Sequence, residues 1–172
     1  MENTSSKFKR GVVFHFSDWN TCVYNGSPVY FDAWRYSIKA FGLDKFRVID
    51  ITSTGLYNIG VRENHYSQFD WTSHKSLEEF YEQNPNDEFI HLETNWTVPE
   101  DVNSELLSKD YVHDKPEDLQ KNIWYILGPP EGFGIQKGDE RRWLSIPQET
   151  KGGMHSAHIL PVLLWDIYNK EN

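Results

Sequence analysis

Apolar residues along this chain fall into two alternating rhythms. Short β-branched or aromatic runs predict buried strands at Gly11–Phe16 (GVVFHF), Lys45–Thr52 (KFRVIDIT), Asp87–Thr94 (DEFIHLET), Asn122–Gly128 (NIWYILG) and Arg142–Pro147 (RWLSIP). Between the first two runs, Tyr30, Ala33, Trp34, Ile38 and Phe41 recur near helical spacing, and Gly42 makes a suitable stop. Ser73–Gln83 predicts a capped amphipathic helix, because Ser76 with Glu79 three residues on has the capping-box form. Thr97 to Gln120 is polar and punctuated by proline, which predicts loop with a short helical piece. Ser156–Lys170 predicts a long apolar helix, with Pro161 in its first turns, where a missing N–H does least harm.

Strands alternating with helices imply an α/β fold, a mostly parallel sheet with helices on both faces. The length of 172 residues suits one domain, here 11–172, preceded by an N-terminal tail of residues 1–10. A net charge of −9 argues against a generic nucleic-acid coat, since non-specific binding to phosphates needs Lys and Arg. It leaves room for an enzyme with a small basic patch, and the dense basic clusters are KFKR (Lys7–Arg10) and ERR (Glu140–Arg142). Aromatics are heavy at 15%, which provides either core and interface bulk or stacking surface for bases; Trp19, Trp71 and Trp96 lie in polar contexts. Cys22 is the only cysteine, so neither an intrachain disulfide nor a Cys-based zinc finger can form. No apolar run approaches membrane-spanning length, and MENTSSKFKR lacks the apolar core of a signal peptide, which together predict a cytoplasmic protein.

Ligands of open parallel sheets bind beyond the carboxyl ends of strands. Three such ends are chemically unusual here. HLETNW (His91–Trp96) leaves a strand with Glu93 and Thr94. LGPPEGFG (Leu127–Gly134) combines rigid prolines, Glu131, and glycines that permit close backbone approach. IPQETKGGMHSAH (Ile146–His158) passes from a strand through Gly152–Gly153 into a helix with a polar start. A pocket made mainly of such backbone fits an adenosine-type ligand. Neither a phosphate-binding G-x-x-x-x-G-K-[ST] loop, nor a G-x-G-x-x-G after the first strand, nor a G-x-S-x-G elbow is present. His155 and His158 share a helical face, but no third ligand lies nearby, so no metal is expected.

In the order and spacing of these motifs the chain, from Gly11 on, resembles the SPOUT superfamily of knotted S-adenosylmethionine-dependent RNA methyltransferases, and within it the SpoU-type ribose 2′-O-methyltransferases. AFGLDKFRVID (Ala40–Asp50) is similar to the family's junction of first helix and second strand, LGPPEGFG to its glycine loop, Ser145–Pro147 to its Ile-Pro strand, and GGMHSAHILPVLLWDIY to its last helix. The resemblance implies a C-terminal trefoil knot and a homodimer with cofactor sites near its two-fold interface. It also implies S-adenosylmethionine held by Glu93, Thr94, Leu127, Gly128, Pro129, Gly132, Gly134, Ile146, Met154 and Ser156.

The chain departs from the family where an RNA hydroxyl would be activated. Tyr36 stands at the family's first-helix arginine and Arg35 one residue earlier, about 100° around the helix. Asp32 replaces a glycine, and His155 an asparagine. The catalytic candidates are therefore Arg35, to hold the nucleic-acid backbone, with Glu131 and His155 flanking the transferred methyl. Two readings follow. One is a methyltransferase acting on a ribose 2′-hydroxyl or a base of tRNA or rRNA, its substrate bound directly or presented by another protein. The other is a dimeric binding protein of the same fold without turnover.

Overall fold

The computed structural model describes residues 7–16, 29–42, 46–52, 64, 67–98, 102–127, 141–149, 154 and 156–172. Seven strands, all parallel, form one sheet: β1 (Arg10–Phe16), β2 (Phe46–Thr52), β3 (Trp71–His74), β4 (Glu88–Thr94), β5 (Ser104–Leu106), β6 (Ile123–Leu127) and β7 (Arg142–Ile146), in the order β3-β2-β1-β6-β4-β7-β5. The helices of defined extent among the described residues are α1 (Val29–Gly42), α2 (Leu77–Gln83), α3 (Pro116–Leu119) and α4 (Ser156–Glu171).

Alternating side chains of the central strands feed two cores. One holds Val12, Phe14, Tyr125, Leu127, Leu92 and Leu144 with Trp34 and Ile38 of α1 and Leu160 and Leu163 of α4. The other holds Val13, Ile49, Ile51, Trp124 and Ile126 with Leu77 and Phe80 of α2. Helices thus cover both faces, as the alternating pattern requires. The helix α1 packs on α4, and Trp34 is fully buried and stacks on Phe14 with ring centroids 4.3 Å apart. Gly11 is needed on β1 because the ring of Trp124, its register partner on β6, lies where a Cβ would project.

Two edge strands depart from the sequence pattern. Trp71–His74 is strand β3, so the expected Ser73–Gln83 helix starts only at Leu77. Its cap is at the expected residue: Ser76 Oγ accepts from Glu79 N at 3.1 Å, while the Glu79 carboxylate reaches back to Lys75 N at 2.8 Å. Within the expected loop from Thr97 to Gln120, Ser104–Leu106 forms β5, paired to β7, and the short helical piece is α3. Both extra strands are short and partly exposed; their neighbours' unpaired backbone groups, not their own apolar content, hold them.

Candidate functional site

Strand register defines the carboxyl edge of the sheet. Phe14, Leu127, Leu92 and Leu144 share one row across β1, β6, β4 and β7. Beyond that row β1 runs on to Phe16 and β4 to Thr94, while β6 ends at Leu127. The chain therefore leaves β6 between two longer strands, where the sheet order turns back from the β1–β2–β3 half to the β4 half. Such a reversal is the usual place for a ligand crevice. The glycine-rich stretch follows β6 in sequence; Gly128, Pro129, Glu131, Gly132 and Gly134 lie outside the described residues, as does His155.

Leu127, Ile146 and Met154 are brought together in the α1/α4 core, with Met154 partly buried against it. Thr94 is fully buried beside Ile146, its register partner. Glu93 pairs with Ser145 and, by strand alternation, serves the opposite face, so the two adjacent candidates do not line one wall. The backbone of Ser156 opens α4 just beyond. An apolar floor at the end of a parallel sheet suits an adenosine-type ligand.

The turn after β4 holds this edge in shape. Thr97 Oγ1 donates to the buried Glu93 carboxylate at 2.6 Å, lies 3.0 Å from Thr94 Oγ1 and accepts from Thr94 N at 3.1 Å. Asn95 N donates to the Ile146 carbonyl at 3.1 Å. The Asn95 amide and the Trp96 indole N–H both donate to the Gln148 carbonyl, at 3.3 and 2.9 Å. Thr97 and Gln148, which the strand pattern did not single out, thus join the candidate site. The polar run after an apolar strand was their only signal. Trp71 is half-buried against the α1/α4 core, whereas Trp96 stays exposed.

Arg35 lies on α1, on a different face from the exposed Tyr36. Its guanidinium pairs with Asp32 at 3.0 Å and stacks on the Tyr36 ring at 4.7 Å.

At the amino edge a second polar assembly forms. Arg10 pairs with Glu171 at 2.6 Å and donates to the Asp114 carbonyl at 2.7 Å. Arg142 binds Glu105 at 2.9 Å and the Asp114 carboxylate; burial works against its charge, but these hydrogen bonds win and hold its pKa above the ordinary value. Buried His113 sits 2.7 Å from Asp166, which also takes Lys170 at 2.8 Å. Burial pushes His113 down despite Asp166, drives Tyr125 up, and raises Tyr111 to about 12. Among the described residues no group of three or more His, Cys, Asp or Glu is placed to hold a metal, and no helix is long and apolar enough to cross a membrane.

No protein-family model and no curated protein matches the sequence. Solved structures do. A Bacillus anthracis protein assigned as an RNA methyltransferase superposes with a TM-score of 0.63 at 15% identity over 95% of this chain and 94% of its own. TrmJ from Z. mobilis ZM4 gives 0.60 at 11% identity, covering 97% of this chain and 71% of its own. The SpoU methyltransferase AviRb from Streptomyces viridochromogenes, in complex with the cofactor AdoMet, gives 0.58 at 10% identity over 95% of this chain; the chain spans 58% of AviRb. The fold is that of the SpoU-like, SPOUT-type methyltransferases.

Proposed function

We propose that this chain is an S-adenosylmethionine-dependent RNA methyltransferase acting on a ribose 2′-hydroxyl or a base. The observation that carries the reading is the ending of β6 at Leu127 between the longer β1 and β4, with the glycine-rich stretch next in sequence. The shared fold supports it. Leu127, Ile146 and Met154 would supply the apolar floor for the adenine, and Thr94 the polar wall. Gly128, Pro129, Gly132 and Gly134 would provide backbone N–H groups, with Ser156 at the helix start. Glu93 would act from behind, through Thr97.

The cofactor, when bound, supplies an electrophilic methyl group. The chain's part is to align the acceptor oxygen or nitrogen, exclude water and take a proton. Arg35 would hold the RNA phosphate, exchanging Asp32 for it, while His155 takes the acceptor's proton at a ring nitrogen and Glu131 orients the acceptor. The Asp32 pair is also what favours the second reading, a binding protein of the same fold without turnover, because it already occupies the arginine.

A second copy of the chain would cover the aromatic face of α1 and α4. Tyr36, Trp165 and Tyr168 are 59%, 55% and 46% exposed there. Trp165 and Tyr168 stack on each other and pack against Phe41, an apolar patch that an isologous dimer would bury. We also infer the trefoil threading. The insertion of β7 between β4 and β5, which are consecutive in sequence, and the shared fold support this inference. A cytoplasmic RNA is the substrate this reading expects.

Calorimetric titration with S-adenosylmethionine and S-adenosylhomocysteine tests the reading. Micromolar binding, lost in Gly132→Val, is expected; no heat at millimolar ligand overturns it. Sedimentation of Trp165→Glu as a monomer is the matching result for the dimer.

A further inference from the structure

The corner between β4 and β5 presents an indole whose orientation is already set. Trp96 is 44% exposed, yet its Nε1–H is held by the Gln148 carbonyl at 2.9 Å, and the neighbouring Asn95 is tied to the same carbonyl and to Ile146. A fixed aromatic ring loses little conformational entropy when something stacks on it. The Gln148 side chain, on the strand exit that anchors this ring, turns its amide oxygen inward, where it is buried and meets no donor among the described residues. A buried acceptor without a partner is costly, and swinging the amide outward breaks no hydrogen bond at that oxygen. Glutamine amides offer a donor and an acceptor side by side, the pattern that reads the edge of an adenine. Both residues lie at the carboxyl edge, directly after Glu93–Thr94 and Ile146.

We propose that Trp96 and Gln148 form a subsite for an unpaired purine of the RNA substrate, the indole stacking on the base and the Gln148 amide pairing with its edge. The proposal rests on the methyltransferase reading for the identity of the ligand. It also accounts for how a chain of net charge −9 engages RNA: phosphate attraction is weak, so contacts to bases must supply the affinity.

The test is fluorescence anisotropy of the full chain with labelled hexamers of riboadenosine and of ribouridine, with S-adenosylhomocysteine titrated separately by calorimetry. The adenosine hexamer is expected to bind better, with a shallow dependence on salt. Trp96→Ala should weaken it roughly five- to a hundredfold, the value of one base–aromatic stack, and Trp96→Phe by less. Gln148→Ala should remove the preference for adenosine over uridine while leaving uridine binding in place. Circular dichroism of each variant shows whether it is folded, and Trp96→Phe keeps an aromatic ring should the alanine variant fail to fold. Equal hexamer affinities for wild type and the Trp96 variants overturn the subsite, as does no hexamer binding by wild type. A Trp96 variant that loses S-adenosylhomocysteine but not the hexamer also overturns it, since the ring would then face the cofactor. If S-adenosylhomocysteine fails to bind wild type while hexamer binding depends on Trp96, the subsite stands and the methyltransferase reading falls.

Discussion

At the amino edge of the sheet the polar contacts join remote parts of the chain: Arg10 reaches Glu171 across 161 positions, and Arg142 reaches Glu105 across 37. At the carboxyl edge the contacts of Thr97 with Glu93 and Thr94 span only four and three positions, and the long-range bonds are those of Asn95 and Trp96 to the Ile146 and Gln148 carbonyls. Cross-linking strand starts, the β5 edge and the end of α4, the first assembly resists unfolding. The second shapes a local turn and leaves groups turned toward whatever binds there. On the proposed reading, stability and recognition fall to opposite ends of the same strands, which is how a parallel sheet tolerates variable loops at its carboxyl edge.

The sharpest way to break this contrast is Arg10→Met. The Arg10 side chain is 11% exposed, and its loss strands the Glu171 carboxylate and the Asp114 carbonyl. Urea unfolding should show a loss of about 3 kcal/mol, with cofactor heats unchanged. A loss in cofactor affinity instead would show that the two ends are coupled.

Thr97→Val attacks the other end. Removing the donor to a buried carboxylate should cost about 2 kcal/mol. Unlike Arg10→Met, it should also weaken S-adenosylhomocysteine binding, which calorimetry would read.

Acid sharpens the contrast further. Burial lowers the His113 pKa although Asp166 opposes this, with Arg10 and Lys170 adding to the decrease and Tyr125 and Tyr111 packed close by. Native His113 therefore stays neutral at pH values where the unfolded histidine already takes a proton. Its contribution is complete above about pH 6.5 and drains as pH falls toward the lower native value, with a slope of at most about 1.4 kcal/mol per pH unit. His113→Gln should flatten part of the fall in stability below neutral pH. His15 and His74, also lowered by burial, sustain the rest.

The smallest effect is expected from Arg47→Ala. Its pair with Asp70 is long, at 3.6 Å, and solvent-screened, so unfolding should change by less than about 0.5 kcal/mol. A larger change would mean that the β2–β3 edge depends on charge as the amino edge does.

Much of the fold was legible because it rests on local, periodic signals. Val12–Phe14, Val48, Ile49, Ile51, Phe89, Ile90, Leu92 and Ile123–Leu127 are buried, and strands covered on both faces of a parallel sheet are rich in such apolar residues. The helix start at Leu77 follows from Ser76, whose hydroxyl caps it within its own turn. Of the candidate site, Leu127, Ile146 and Thr94 could be placed by counting to the strand ends, and their register agrees with that placement.

Tertiary structure decided what depends on partners far away in sequence. β3 and β5 are strands only because β2 and β7 present backbone groups to them; WTSH and SEL have too little apolar content to signal a strand alone. The inward turn of Gln148 and the fixing of Trp96 required β7 to enter between β4 and β5, 52 positions along the chain from that indole. Periodicity records which face of an element is buried; it carries no record of which distant strand arrives beside it, because that choice is made by the packing of the whole sheet.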